Sequence, residues 1–146
     1  MIIRKDTTPD EGSGTRSRRR VSDAGGLTQL GAHLETLMPG AVSSDRHWHE
    51  EEDELLYMLE GQAVVVEEGS EETLRPGDAA VWAKGTPNAH QVVNRSDRPC
   101  TYLIIGARVA KGAIHYPDLG RTCYFEGKRW RVVDRDGTIL REGVEP

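Results

Sequence analysis

A chain of 146 residues with 24 acidic and 19 basic side chains, net charge −5, fits one domain able to bury most of its apolar surface without disulfide staples. That balance gives no global attraction to nucleic acid or to an anionic membrane surface, so neither is expected as a partner. The N-terminal MIIRKDTTPD lacks the apolar run of a signal peptide, and no stretch is long enough to span a bilayer. Cys100 and Cys123 show no C-x-x-C spacing and read as reduced thiols in a cytoplasmic protein.

In chain order, residues 1–15 are Thr, Pro, Gly, Ser and charge, the composition of a mobile tail. The next segment, Arg16 to Arg20, has no interleaved aromatic residues and reads as solvated or subunit-contacting rather than as a nucleic-acid arm. Strand-like runs follow at 28–37, 54–59, 62–67, 79–83, 89–93 and 100–107, with 122–126 and 130–134 after a break. Pro39-Gly40, Gly69-Ser70, Pro76-Gly77-Asp78, Gly85-Thr86-Pro87 and Asp136-Gly137 punctuate them. Many short strands with no helical period predict an all-β sandwich or barrel over 16–146, ending in a C-terminal hairpin.

The stretch HWHEEEDELLYMLE, residues 47–60, carries the chemistry. On a strand, residues two apart share a face, so His47 and His49 point the same way and Trp48 points away. Glu54 lies five residues after His49, the wrong parity for one continuous strand, and the charged Glu50 to Asp53 suits an intervening turn. Glu54 opens an apolar strand and is the carboxylate drawn inward. Buried among hydrophobic neighbours it needs a counter-ion, and a metal held with His47 and His49 supplies one. Leu56 and Met58 share its face; Leu55, Tyr57 and Leu59 form an apolar stripe on the other, of the kind that marks a subunit contact. A homodimer is expected, using residues 16–35 and the outer side of 55–59.

The pattern His47-x-His49, Glu54, Gly61, with Gly40 upstream, resembles the first motif of the cupin superfamily, over residues 40–61. RPGDAAVWAKGTPNAHQVVN resembles the second, over 77–94, with Gly77, Asp78, Gly85, Pro87, His90 and Asn94 in place. Two departures stand out: Ala83 replaces the usual proline, and His90 follows Gly85 by five positions where three is commoner. The wider text, including NRSDRP and His115-Tyr116-Pro117-Asp118, is similar to small bacterial single-domain cupins. The resemblance implies a cupin-type double-stranded β-helix, or jelly-roll barrel, with His90 as a fourth metal ligand. It also implies dioxygenase, decarboxylase, lyase or isomerase chemistry.

Three imidazoles and a carboxylate suit a divalent first-row metal. Iron, manganese or nickel takes six ligands and keeps two positions open, whereas zinc more often closes at four. The expected ligand is a small organic acid or carbonyl metabolite. The function so implied is a metal-dependent enzyme on such a metabolite, or alternatively a non-enzymatic binding or sensing cupin with a structural metal. No catalytic base is assigned. His33 and His115 read as structural, Asn94 as bracing a turn, and Trp82, Tyr57, Tyr102 and Trp130 as core or interface.

Overall fold

The computed structural model describes residues 1–145. Their first strands are β1 (Glu11–Ser13), β2 (Arg16–Arg20), β3 (Leu30–Leu37), β4 (Trp48–His49) and β5 (Glu54–Glu60). Next come β6 (Ala63–Glu67), β7 (Ser70–Leu74), β8 (Ala79–Trp82), β9 (Gln91–Val93) and β10 (Cys100–Ala107). β11 (Lys111–Tyr116), β12 (Arg121–Glu126), β13 (Arg129–Asp134) and β14 (Ile139–Val144) complete the order, and one short helix, α1 (Val21–Ala24), follows β2. The all-β expectation holds. Among the described residues no helix is long and apolar enough to cross a membrane, and both cysteines are unpaired.

One sheet runs β1-β2-β3-β10-β5-β8, facing β7-β6-β9 and β4-β11-β12-β13-β14. These last two sheets are stitched by an isolated antiparallel pair, His47 with His90, through backbone bonds of 3.1 and 2.9 Å. The core between the layers is built on Leu37, Leu56, Met58, Cys100 and Tyr102, each at most 1% exposed. Gly61 ends β5 with φ +71°, and a Cβ there would stand 2.6 Å from the Pro99 carbonyl oxygen, so only glycine turns the chain toward β6.

Alternation in β5 follows the expected parity. Leu56 and Met58 are fully buried, while Tyr57 is 42% and Leu59 40% exposed. The hairpin of β12 and β13 lies beside β11 in the opposite layer and does not cover that stripe.

The N-terminal segment differs from its compositional reading. Residues 1–15 include a 3-10 turn at Lys5–Thr7 and strand β1, which pairs with β2. The Arg16 to Arg20 run, expected to be solvated or subunit-contacting, is a strand of the barrel sheet: Arg16, Arg18 and Arg20 pair in register with Leu37, Glu35 and His33. Glu35 is only 3% exposed; it accepts from Arg18 Nε at 3.1 Å, Arg18 Nη2 at 3.0 Å and Tyr102 Oη at 2.9 Å. A carboxylate buried this deeply requires charged donors, and the arginine strand supplies them. Burial would raise the Glu35 carboxyl, but His33, Arg18 and the Tyr102 hydroxyl outweigh it and hold the group below its ordinary range. Strands β7, β11 and β14 have no counterpart among the predicted runs.

Asn94 pins the end of β9. Fully buried, it donates from Nδ2 to the carbonyls of Leu37 at 2.9 Å and Arg98 at 2.7 Å, and its Oδ1 accepts from the Ser96 backbone and hydroxyl. The expected turn-bracing role is met, with a second anchor on β3. Asn94→Ala removes the side-chain donor to the buried Leu37 carbonyl together with its bonds to Arg98 and Ser96, and is expected to cost about 3 kcal/mol in urea unfolding. A loss under ~0.5 kcal/mol, the scale of a neutral surface change, would contradict the anchoring role.

Candidate metal centre

The site forms where the two layers face each other. The backbone pairing of His47 with His90 puts both rings on one side, with centroids 5.0 Å apart, and the His49 ring lies 5.1 Å from that of His47. The opposite sheet contributes Glu54, first residue of β5. The charged turn between them is pinned by Glu50 N donating to the Ala113 carbonyl and Lys84 N donating to Asp53 Oδ1, each at 2.9 Å. His47, His49 and Glu54 each bring a donor atom within 4.8 Å of the other two, a cluster that can bind a metal ion. Glu54 Oε2 is 3.0 Å from His90 Nε2 and 3.5 Å from His49 Nε2. The turn after Gly85 absorbs its two extra residues and still delivers His90 beside Glu54.

The outer ring nitrogens explain how the imidazoles are aimed. His47 Nδ1 faces the Asp45 carbonyl at 2.9 Å, His49 Nδ1 faces Glu52 Oε2 at 2.8 Å, and His90 Nδ1 faces the Asn88 carbonyl at 3.3 Å. These partners only accept, so each Nδ1 carries the hydrogen, and each Nε2 lone pair is left for the cluster. Trp82 stacks on His90 at 3.7 Å, with its Nε1 donating to Glu67 Oε1 at 2.6 Å. The Tyr116 ring lies 5.6 Å from His47 and closes another side.

Glu52 and Tyr116 enlarge the set read from the sequence. Glu51 instead pairs with Lys84 at 3.3 Å near the surface. His115 faces away, stacked on Trp48 at 4.1 Å with Nε2 3.2 Å from Glu50, in keeping with its structural reading. His33 is on the inner face of β3, 3.6 Å from Glu35, and lines a cavity of about 240 Å³ that opens beside His49 and Glu54.

Charge in the site is balanced between Glu54 and the imidazoles that face it. Burial opposes charge on His49, yet Glu52 and Glu54 outweigh it and push its imidazole up to about 9. Burial would raise Glu54, but His49 and His90 hold its carboxyl well below the usual carboxylate range. His47 is pushed down, chiefly by burial. A carboxylate oxygen facing two Nε2 atoms needs either protons or a metal between them, and the donor set of imidazole nitrogen and carboxylate oxygen fits a first-row transition ion.

A β-barrel that gathers histidines and a glutamate at its mouth defines a class of small-molecule-binding barrel. The profile of the cupin domain matches residues 33–106, just over half of the chain. The chain belongs to the cupin family. It is similar to a sugar phosphate isomerase of the cupin superfamily from Silicibacter pomeroyi, with 36% identity, 97% of each chain covered and a TM-score of 0.90. A candidate sugar phosphate isomerase from Acidithiobacillus ferrooxidans shares the fold at 24% identity, with 96% of each chain covered and a TM-score of 0.84. KdgF from Halomonas sp. shares it at 23% identity and a TM-score of 0.62, over 73% of this chain and 94% of that one. No curated protein matches the chain.

The shifted groups predict a pH signature. In metal-free protein the His49 contribution is complete below its ordinary value of 6.5 and is lost as pH rises through about 9; that of Glu54 is present above 4.5 and lost in acid. The melting temperature of metal-free protein should therefore fall between pH 6.5 and 9. Metal takes the place of the proton, so metal-loaded protein keeps its melting temperature there and the gap between the two widens. Parallel melting curves across this range would contradict the assignment.

Proposed function

We propose that this cupin is a metal-dependent isomerase of small, sugar-like hydroxy-carbonyl compounds, with His47, His49, Glu54 and His90 as the metal ligands. The observation that carries the reading is the convergence of three Nδ1-anchored imidazoles on a buried carboxylate, at the mouth of a small polar cavity. The 36% identical relative, matched over nearly its whole length, is named a sugar phosphate isomerase, which supports the reaction class.

Iron(II), manganese(II) or nickel(II) suits the site, because six-coordination leaves two positions beyond the four side chains. Such an ion, when bound, polarises a carbonyl and stabilises adjacent negative charge. The chain itself positions and moves protons. Glu52 holds the orientation of His49, and Trp82 holds that of His90. Aldose–ketose interconversion moves one proton between adjacent carbons and one between adjacent oxygens, with no oxidant. His33, an imidazole on the cavity wall outside the ligand set, is the assigned carbon-proton carrier.

Metal-reconstituted protein is expected to interconvert members of a panel of aldose and ketose phosphates, followed by NMR. His33→Asn should lower kcat by about 10²-fold or more with little change in KM. Glu54→Gln should weaken metal binding at least tenfold, while Glu51→Gln changes it less than about twofold, because only the first loses an inward anionic donor. Stoichiometric metal with no turnover of any panel member would favour the non-enzymatic binding reading instead.

We further propose that the protein works as a homodimer, through the outer face of the six-stranded sheet. Tyr57, Leu59 and Val81 are 42, 40 and 67% exposed on neighbouring strands. An apolar stripe of this kind is the mark of a contact. Tyr57→Asp is expected to shift sedimentation at micromolar concentration toward monomer. A monomeric unaltered protein would contradict the proposal.

A further inference from the structure

The cavity beside the metal cluster has two chemically different walls. His49, Glu52 and Glu54 form one; Arg18, Arg20 and Arg108 lie on the other. Between them the floor is bare backbone, because Glu54 on β5 pairs with Gly106 on β10, which pairs with Gly31 on β3.

Nothing in the local backbone demands these glycines. Neither has a positive φ. A Cβ at Gly106 would meet nothing closer than the Asp53 carbonyl at 3.8 Å, and one at Gly31 nothing closer than Arg108 Nε at 3.4 Å. Glycine in a strand interior weakens the strand, and where neither a turn nor a clash requires it, it commonly marks the close approach of a ligand. What the two glycines leave is a clear path from the Glu54 carboxylate to the Arg108 guanidinium. It crosses two strand spacings, about 10 Å.

The guanidinium groups are positioned but not saturated. Arg18 is committed to Glu35. Arg108 donates from Nη1 to the Leu27 carbonyl at 2.8 Å and from Nη2 to Asp23. Arg20 donates from Nε to Glu11 at 2.9 Å and stands 3.7 Å from Asp23. Asp23 is itself held by the Ser22 hydroxyl at 3.2 Å. One carboxylate thus braces two guanidinium groups, while Arg108 Nε over Gly31 and Arg20 Nη2 have no hydrogen-bond partner among the described residues.

We propose that Arg20 and Arg108 form an anion subsite for a phosphate monoester, the far end of a small polyhydroxy carbonyl compound whose carbonyl lies at the metal cluster. Two guanidinium groups, each keeping an unpartnered N–H, match a phosphate dianion better than a singly charged group. The placement of the carbonyl rests on the isomerase reading; the anion subsite rests on the arginines and the glycine floor. Gly31 and Gly106 act as specificity determinants, since any side chain there shortens the path.

The test is calorimetric titration of metal-loaded protein with glycerol 1-phosphate, inorganic phosphate and glycerol. Unaltered protein is expected to bind both phosphates and not glycerol. Arg108→Gln and Arg20→Gln should each weaken phosphate binding by about tenfold to a hundredfold, the range for a charge-assisted hydrogen bond. Arg19→Gln, on the opposite face of β2, should leave it unchanged. Gly106→Val should abolish glycerol 1-phosphate binding while metal content stays stoichiometric. If Arg108→Gln fails to fold for want of its Leu27 tie, the half-exposed Arg20 carries the test. No phosphate binding by unaltered protein, or equal binding in the arginine variants as expected of phosphate held on the metal alone, would overturn the subsite. Phosphate binding that follows the arginines in a protein that isomerises nothing would uphold the subsite and sink the isomerase reading.

Discussion

Glu54 holds a carboxylate oxygen 3.0 Å from one imidazole nitrogen and 3.5 Å from another, at the seam where two β layers face each other. The imidazoles cannot turn away, because acceptor-only groups occupy their outer nitrogens. The carboxylate cannot turn away either, since β5 buries Leu56 and Met58 on the same face. An anion fixed against converging lone pairs needs either a proton or a metal cation among them. The His47–His90 backbone pair that joins the strands of the second layer is also the pair that aims two of these rings, so barrel closure and site assembly are one structural event.

A second buried carboxylate, Glu35, shapes the other side of the cavity. Its pairing with Arg18 and Tyr102 ties β2 into the barrel sheet and presents the alternate residues of an arginine-rich strand to the interior. Arg20 is thereby carried to the mouth, beside Arg108 and α1. The cavity has an electronegative end that can bind a metal and a guanidinium end, separated by two glycines. Strand register places Glu54, Arg18 and Arg20, while Glu52 and Arg108 stand in short connections beside strand ends.

Much of this architecture is legible in the sequence, for identifiable reasons. The H-x-H period, the parity break before Glu54 and the doubly apolar LLYML strand place three inward side chains by strand geometry. His90 is legible only by resemblance to the second cupin motif, because its pairing with His47 spans a long stretch of chain. Arg16 to Arg20 is opaque for a different reason: four of its five residues are arginine, so no hydrophobic alternation reveals a strand. Strand β7, SEETL, is exposed almost throughout and carries no apolar signal. Tyr116 is set by the pairing of β4 with β11, a register that no local pattern announces. Glu52 stands among five acids, and only the fold of the turn singles it out.

The proposed chemistry depends on a divalent metal in the space between the imidazoles and Glu54. Anomalous diffraction from crystals of manganese-loaded protein tests it most directly. One strong peak is predicted within bonding distance of His47, His49 and His90 Nε2 and of the Glu54 carboxylate. A peak elsewhere on the molecule, with hydrogen-bonded imidazoles and no metal at Glu54, would contradict the account.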